Sequence, residues 1–575
     1  MNEDHRMFVI PRTTGTHGDI LAAVGLADLL SDASDSPVFI RENPAGFEIS
    51  ATRIDNIPQE PGYPFLKSNE NVKVPSGIIN FVDYKAEKAK ADRRKKLTEG
   101  KSKKSLGPEI EQLLELDKPR PDWRLLQVLN KLQGDETSNR VYAQIALMNP
   151  AEFSQAVSTA LDSIESFEPS GLDWPASSVQ LFSPNSAKGY SRLKPDSTGR
   201  NDKTKEDWTD PFIEWLRYRG YFAIACPFFD GSKNVRLLCP VPANISINGL
   251  LQICGELRQA WVFGGPPKLD SLSTLKIAEL LIRRSEEFHD ADAAALIGIS
   301  ILGASPADVI SGITVTNYLS LGNSNAVSAM ATLAIPGWFV LNDAEDATAF
   351  LAILDEHQRV VRSLNDSHSD EIGLLIQYRR FLELRGEHSI LTLIDFMSRY
   401  GALVLRARDQ KREPRRIIPQ FSTGHLERLV MHNAPRLSVV LNDSGFQAVA
   451  AAIRSATVSA QAQKAMNRPD YREIRYDLLP ELRRKSSLPG NDPLIQALSD
   501  FISKYNFENA RRREMNKTAP RNITTDEFAS LVALIETHQA VTVGPMLCAY
   551  GSCRLSREQD EPESDSSQPT DNEEK

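Results

Sequence analysis

The alternation of apolar and polar residues changes character along this chain. Near the start a short apolar run, MFVIP, reads as a strand. A Thr/Gly/His turn follows, and GDILAAVGLADLLSD then repeats its apolar residues at spacings of three and four, the mark of a helix. Asp19 is well placed to begin that helix, where a carboxylate satisfies open backbone amides and favours the dipole. PVFIRE and GFEIS return to a strand-like pattern. Residues 123–132 and 152–164 are spaced as amphipathic helices, and PFIEWLRYRGYFAIACPFF and NVRLLCPVPANISI read as helix and strand in turn, so the mixed character extends to about Gly249. Beyond roughly Ser271 the pattern turns strongly helical, with few β-branched runs; LLIQYRRFLELRGEH, ILTLIDFMSRYGALVLRA, FQAVAAAIRSATVSAQAQKA and DEFASLVALIETHQAVTVGPMLCAYG are examples. The pattern predicts an α+β N-terminal part followed by a mainly α-helical C-terminal bundle.

At 575 residues the chain exceeds one comfortable core. The expected partition is an α+β domain at 1–270, with basic insertions at 84–104 and 181–208, a helical middle region at 271–430, a helical bundle at 431–555 and a tail at 556–575. The tail holds eight acids, two bases and no aromatic residue, which predicts disorder. It supplies six of the nine net negative charges, so the rest of the chain is near neutral. Overall acidity therefore does not argue against a polyanionic partner, provided the bases are clustered.

Candidate chemistry is scarce. There is no GxxxxGK[ST] and no strand-linked GxGxxG, which argues against a nucleotide-hydrolysing core. His289-Asp290 forms an HD pair in a helical context with no ligand-like spacing of other histidines around it, and reads as a solvated helix end. His17 and Asp19 read as turn and helix-cap residues. No GxSxG elbow is present. Five cysteines, Cys226, Cys239, Cys254, Cys548 and Cys553, form no CxxC pair and read as reduced core thiols of a cytoplasmic protein. The opening MNEDHRMFVIPRTTG lacks a signal-peptide core, and no uninterrupted apolar stretch reaches the roughly 20 residues of a membrane helix. No catalytic residue, metal ligand, cofactor or membrane partner is expected.

The positive signal is basic clustering. Residues 84–104 hold ten Lys/Arg against three acids, including Lys85, Lys88, Arg93, Arg94, Lys95 and Lys96. These bases recur at every helical angle, so the run is either a solvated helix or loop, or a phosphate-binding surface. The polar stretch 181–208 reads as a long loop, in which Lys188, Tyr190, Arg192, Lys194 and Arg200 interleave cations with an aromatic ring and with glycines that admit backbone to phosphate. Further on, RARDQKREPRR supplies Arg412, Arg415 and Arg416. Arg475, Arg483, Arg484 and Lys485 lie on a segment neighbouring a second group, Arg511, Arg512, Arg513 and Arg521, and could extend one positive face.

Three passages give the chain a family resemblance: THGDILAAVGLADLL near the start, the loop SPNSAKGYSRLK, and the run from RLVMHNAPRL through LLPELRRKSSLPGNDPLIQALSDFISKYNFENARRR to PMLCAYG. In these the chain resembles the large subunit of a type I CRISPR Cascade, a likeness that covers about half its length. The resemblance implies an N-terminal α+β domain beside the guide RNA's handle that checks the flanking motif (PAM) on double-stranded DNA and helps open the duplex. It implies a small-subunit-like C-terminal helical bundle at 431–555 that steadies the R-loop, with no catalytic residue. The implied partners are guide RNA, target DNA, the backbone and handle-binding subunits, and a recruited helicase-nuclease. Duplex reading would fall on Lys85, Lys88, Arg93, Arg94, Lys95, Lys96, Lys188, Tyr190, Arg192, Lys194 and Arg200. R-loop contacts would fall on Arg412, Arg415, Arg416, Arg483, Arg484, Arg511, Arg512, Arg513 and Arg521. Some relatives make a small subunit from an internal start, for which Met431 and Met466 are placed here. A helical protein-binding scaffold, with basic runs that only solvate helices, is the main alternative; a nuclease or phosphohydrolase built on His289 and Asp290 is a third.

Overall fold

The helix expected after the first strand runs His17–Ala33 and is buried almost all round, with only Ser31 and Asp32 near its end reaching solvent. A helix covered on every side needs no polar stripe, and this one has none. It lies in the first of two compact units, Met1–Leu354 and Asp355–Lys575. The structure, a computed structural model, describes residues 5–54, 57–66, 81–99, 108–133, 142–143, 145–174, 181–182, 210–230, 234–260, 264–285, 299–322, 325–409, 418–466 and 471–555.

In the first unit, β1 (His5–Pro11), β2 (Phe39–Asn43), β3 (Gly46–Thr52) and β8 (Asn244–Ser246) form an antiparallel sheet in the order β1-β3-β2-β8; β4 (Phe65–Leu66) and β5 (Phe81–Val82) make a separate parallel pair. A second antiparallel sheet, in the order β10-β9-β7-β6, is built from β6 (Cys226–Asp230), β7 (Asn234–Pro242), β9 (Ile310–Ser320) and β10 (Asn325–Ala334), while β8 (Asn244–Ser246) crosses back to pair with β2. The helix His17–Ala33 packs against strands of both sheets and against the aromatic helix Pro211–Ile224.

That helix pair is set by two glycines. Gly25 lies on the backbone of Leu216 and Gly220 lies on the backbone of Leu21, so the helices run antiparallel with main chain against main chain. A Cβ at either site would meet a carbonyl oxygen far inside 3.0 Å. Asp210 begins the aromatic helix by accepting from the amides of Phe212 and Ile213, and its end is closed by Arg258, which donates to the carbonyls of Phe222, Ala223 and Ala225. Arg219, itself buried, reaches Asp28 at 2.7 Å and Asp32 at 2.8 Å beneath the rings of Tyr63 and Trp215. Burial pushes the Asp28 carboxyl up, and the Arg219 charge offsets it.

The second unit is helical throughout its described residues. Its longest members are Gly386–Asp409 and Asp492–Glu514. The buried helix Ala540–Ser552 packs on Gly386–Asp409, Ser444–Arg454, Leu478–Ser486 and Thr525–His538. Arg454 seals its C-terminal end by donating to the carbonyls of Tyr550 and Cys553 at 2.9 and 2.8 Å. The expected α+β part followed by a helical bundle is thus the observed order of elements.

The boundaries differ from the expected partition. β9 and β10 fall inside the stretch read as a helical middle region, because the β-branched run ISGITVTNYLS completes a sheet whose other central strand, β7, lies some seventy residues earlier. The division at 430/431 cuts the helix Thr423–Asn433, in which Met431 is an exposed residue; Met466 follows the helix Ala460–Ala465. All five cysteines are free and buried, and burial pushes each thiol up. The tail 556–575 lies outside the described residues.

Candidate nucleic-acid interface

The first basic run forms the helix Tyr84–Thr98, begun by Asp83, whose carboxylate accepts from the amide of Ala86. The helix is held by one side. Tyr84 stacks on Trp123 with ring centres 5.3 Å apart, and buried Glu87 accepts from Lys90 at 2.7 Å and from the amide of Arg120. Arg93 forms a forked pair with Asp117, holding that carboxyl below its usual range, and Arg94 donates to the carbonyl of Leu114. Three of the seven bases on this helix, Lys90, Arg93 and Arg94, are therefore anchors.

The rest face outward. At 100° per residue Lys85, Lys88, Lys95 and Lys96 fall within about 100° of one another, opposite Glu87 and Arg94. Lys88, Lys95 and Lys96 are exposed and make no ion pair among the described residues. One acid of the helix, Asp92, shares their stripe. Reading the bases as present at every helical angle was right about sequence but missed this sorting. Its signal was the acids Glu87 and Asp117, which mark the anchored side.

In the second unit four of the six expected cations among the described residues are engaged. Arg483 pairs with Asp395 at 3.0 Å, and Asp395 also takes Arg399 and Gln377. Arg512 donates to the carbonyl of Thr518, Arg513 to the carbonyl of Pro520 and to Asn522, and Arg521 pairs with Glu527 at 2.6 Å. Arg484 and Arg511 are exposed and make no ion pair among the described residues. Arg483 and Arg484 lie near the end of the helix Leu478–Ser486, just before Asp492–Glu514, whereas Arg511 lies in the last turn of the latter, about 28 Å along its axis from Asp492 at 1.5 Å per residue.

No family model matches the chain. No curated protein matches it either. Lys188, Tyr190, Arg192, Lys194, Arg200, Arg412, Arg415 and Arg416 lie outside the described residues, as do His289 and Asp290.

His17 and Asp19 are structural where they stand. Asp19 accepts from the amides of Thr14 and Gly15 and from the hydroxyls of Thr13 and Thr14, closing the loop before its helix. His17 is fully buried. Its Nε2–H donates to the carbonyl of Leu181 at 2.7 Å and its Nδ1 accepts from the Thr316 hydroxyl at 2.8 Å. Burial, reinforced by the nearby Arg217 charge, lowers its pKa to about 4. Leu181 and Phe182, the described residues of the stretch 181–208, are both buried. Among the described residues no helix is long and apolar enough to cross a membrane, and no group of three His, Cys, Asp or Glu side chains is arranged to hold a metal.

Proposed function

We propose that this chain is a nucleic-acid-binding subunit without chemistry of its own, the large subunit of a type I CRISPR Cascade, reading the duplex flank with its first unit and steadying the R-loop with its second. The order of an α+β part and a helical bundle is what that resemblance implies. The observation that carries the reading is the outward stripe of Lys88, Lys95 and Lys96 beside Lys85, on a helix whose other bases are anchored. Lysines such as Lys88, Lys95 and Lys96, which make no ion pair among the described residues, can neutralise phosphates and release condensed counterions.

Two measurements test it. Replacing Lys88, Lys95 and Lys96 by Glu should lower the slope of log affinity against log salt for duplex DNA by about 2 to 3, at roughly 0.9 per phosphate contact. An unchanged slope removes the stripe from the interface. Purified from cells that carry its neighbouring genes, the chain should bring down a guide RNA of uniform length; recovery of the other subunits without RNA would refute the Cascade reading.

The scaffold reading draws support from the engaged arginines Arg483, Arg512, Arg513 and Arg521. It requires that nucleic-acid binding by the purified chain show no salt dependence.

A further inference from the structure

The helix Asp492–Glu514 turns Leu494, Leu498, Phe501, Ile502, Tyr505 and Asn509 into the core of its unit. Phe507 breaks that pattern. It sits about 170° from the centre of the buried stripe and is 73% exposed. Its neighbours on the helix surface, three and four residues away, are Ser503, Lys504, Ala510 and Arg511: small residues along one side of the ring and cations along the other.

Lys504 and Arg511 are both exposed and make no ion pair among the described residues. The acids of this face, Asp500 and Glu514, are each seven residues from Phe507, roughly 10 Å along the axis. They stand four residues before Lys504 and three after Arg511, yet neither forms an ion pair with that cation among the described residues, and the two cations are the charges nearer the ring. Glu508 is turned away and held by Arg472 at 2.9 Å and Arg475 at 3.7 Å. Arg512 and Arg513, the other members of the arginine run, fold onto the carbonyls of Thr518 and Pro520 and leave Arg511 alone to face outward.

We propose that Phe507, flanked by Lys504 and Arg511, is a stacking site for an unpaired base of a single-stranded nucleic acid, with the adjoining phosphates against the two cations. An aromatic ring on a convex helix reaches the face of a base only where that base is not already stacked in a duplex. Stacking tolerates any base, and the cations supply sequence-independent affinity. A protein pocket taking the ring would instead strip water from two unpaired cations beside it. This inference deepens the nucleic-acid reading by naming its ligand class in the second unit, and it is independent of the lysine stripe in the first.

The test uses the full chain, a fluorescein-labelled thymidine 20-mer and a labelled duplex, followed by anisotropy. Phe507→Ala should weaken the single strand about tenfold, leave the duplex within twofold and leave the salt slope for the single strand unchanged. Phe507→Tyr should retain wild-type affinity. The double change Lys504→Gln and Arg511→Gln should lower the single-strand salt slope by about 1.4. Phe167→Ala is the control, since that ring is 72% exposed in the other unit. Single-strand affinity unmoved by Phe507→Ala, or weakened equally by Phe167→Ala, overturns the proposal. A chain that binds duplex through the lysine stripe but not the 20-mer overturns this inference alone. Phe507-dependent binding of the 20-mer, with duplex affinity indifferent to the stripe, supports this inference and overturns only the stripe.

Discussion

Replacing Gly25 by Ala sets helix propensity against tertiary packing with opposite signs. In an isolated helix the change would stabilise by about 1 kcal/mol, because Ala loses less backbone freedom than Gly. Here the new methyl would point at the carbonyl of Leu216, and the atoms it meets are backbone of a buried helix that no rotamer change can move. The two helices must separate. They are also pinned, since Arg219 on one reaches Asp28 on the other. Overpacking of this kind costs about 1–3 kcal/mol, and a clash with main chain belongs at the upper end, so the expected net loss is about 2 kcal/mol after the propensity gain. Gly220→Ala should cost the same, because Gly220 meets Leu21 across the same crossing. The double variant should lose less than the sum, since one separation clears both clashes. All six tryptophans, Trp123, Trp174, Trp208, Trp215, Trp261 and Trp338, lie in the first unit, so tryptophan fluorescence during urea unfolding follows that unit alone. A Gly25→Ala chain as stable as the parent or more so would refute the packing argument, and strict additivity of the pair would refute the shared crossing.

Two further predictions concern acid and backbone strain. His17 in the first unit and His357 in the second are buried neutral, with pKa values lowered from 6.5 to about 4 and about 3, mainly by burial and further by the charges of Arg217 and His425. Below pH 6.5 the unfolded chain takes up these protons first, so stability present above pH 6.5 drains away as pH falls toward 4, by on the order of 3 kcal/mol for His17. Unfolding free energy measured between pH 7 and 4 should fall in the first unit, and His17→Gln should flatten that fall by one proton's slope; an unchanged slope would count against a buried neutral imidazole. Gln539, between the helices Thr525–His538 and Ala540–Ser552, holds φ 68° and ψ 147°, a conformation that glycine adopts without a Cβ penalty. Gln539→Gly should therefore raise the thermal stability of the second unit by about 1 kcal/mol, and a loss of stability would show that the side chain contributes more than the strain.

Local pattern was enough to read the opening strand, the helix His17–Ala33, the next two strands and the helical character of the second unit, because period and capping residues act within a few positions. Buried cysteines were legible for the same reason, whereas the cap of the first helix is Thr16 and not Asp19, which sits in the first turn and closes the loop before it. Pattern could not place β9 and β10 in a sheet with β7, since register with a distant strand is a long-range choice. Nor could it tell an anchored base from an outward one. Arg93, Arg94, Arg483, Arg512 and Arg513 look in sequence like Lys88, Lys95, Lys96 and Arg511, yet the first group is folded onto carboxylates and carbonyls contributed by other segments. A cation's availability depends on which acceptors the fold brings within about 3 Å of it, and only the tertiary structure decides that.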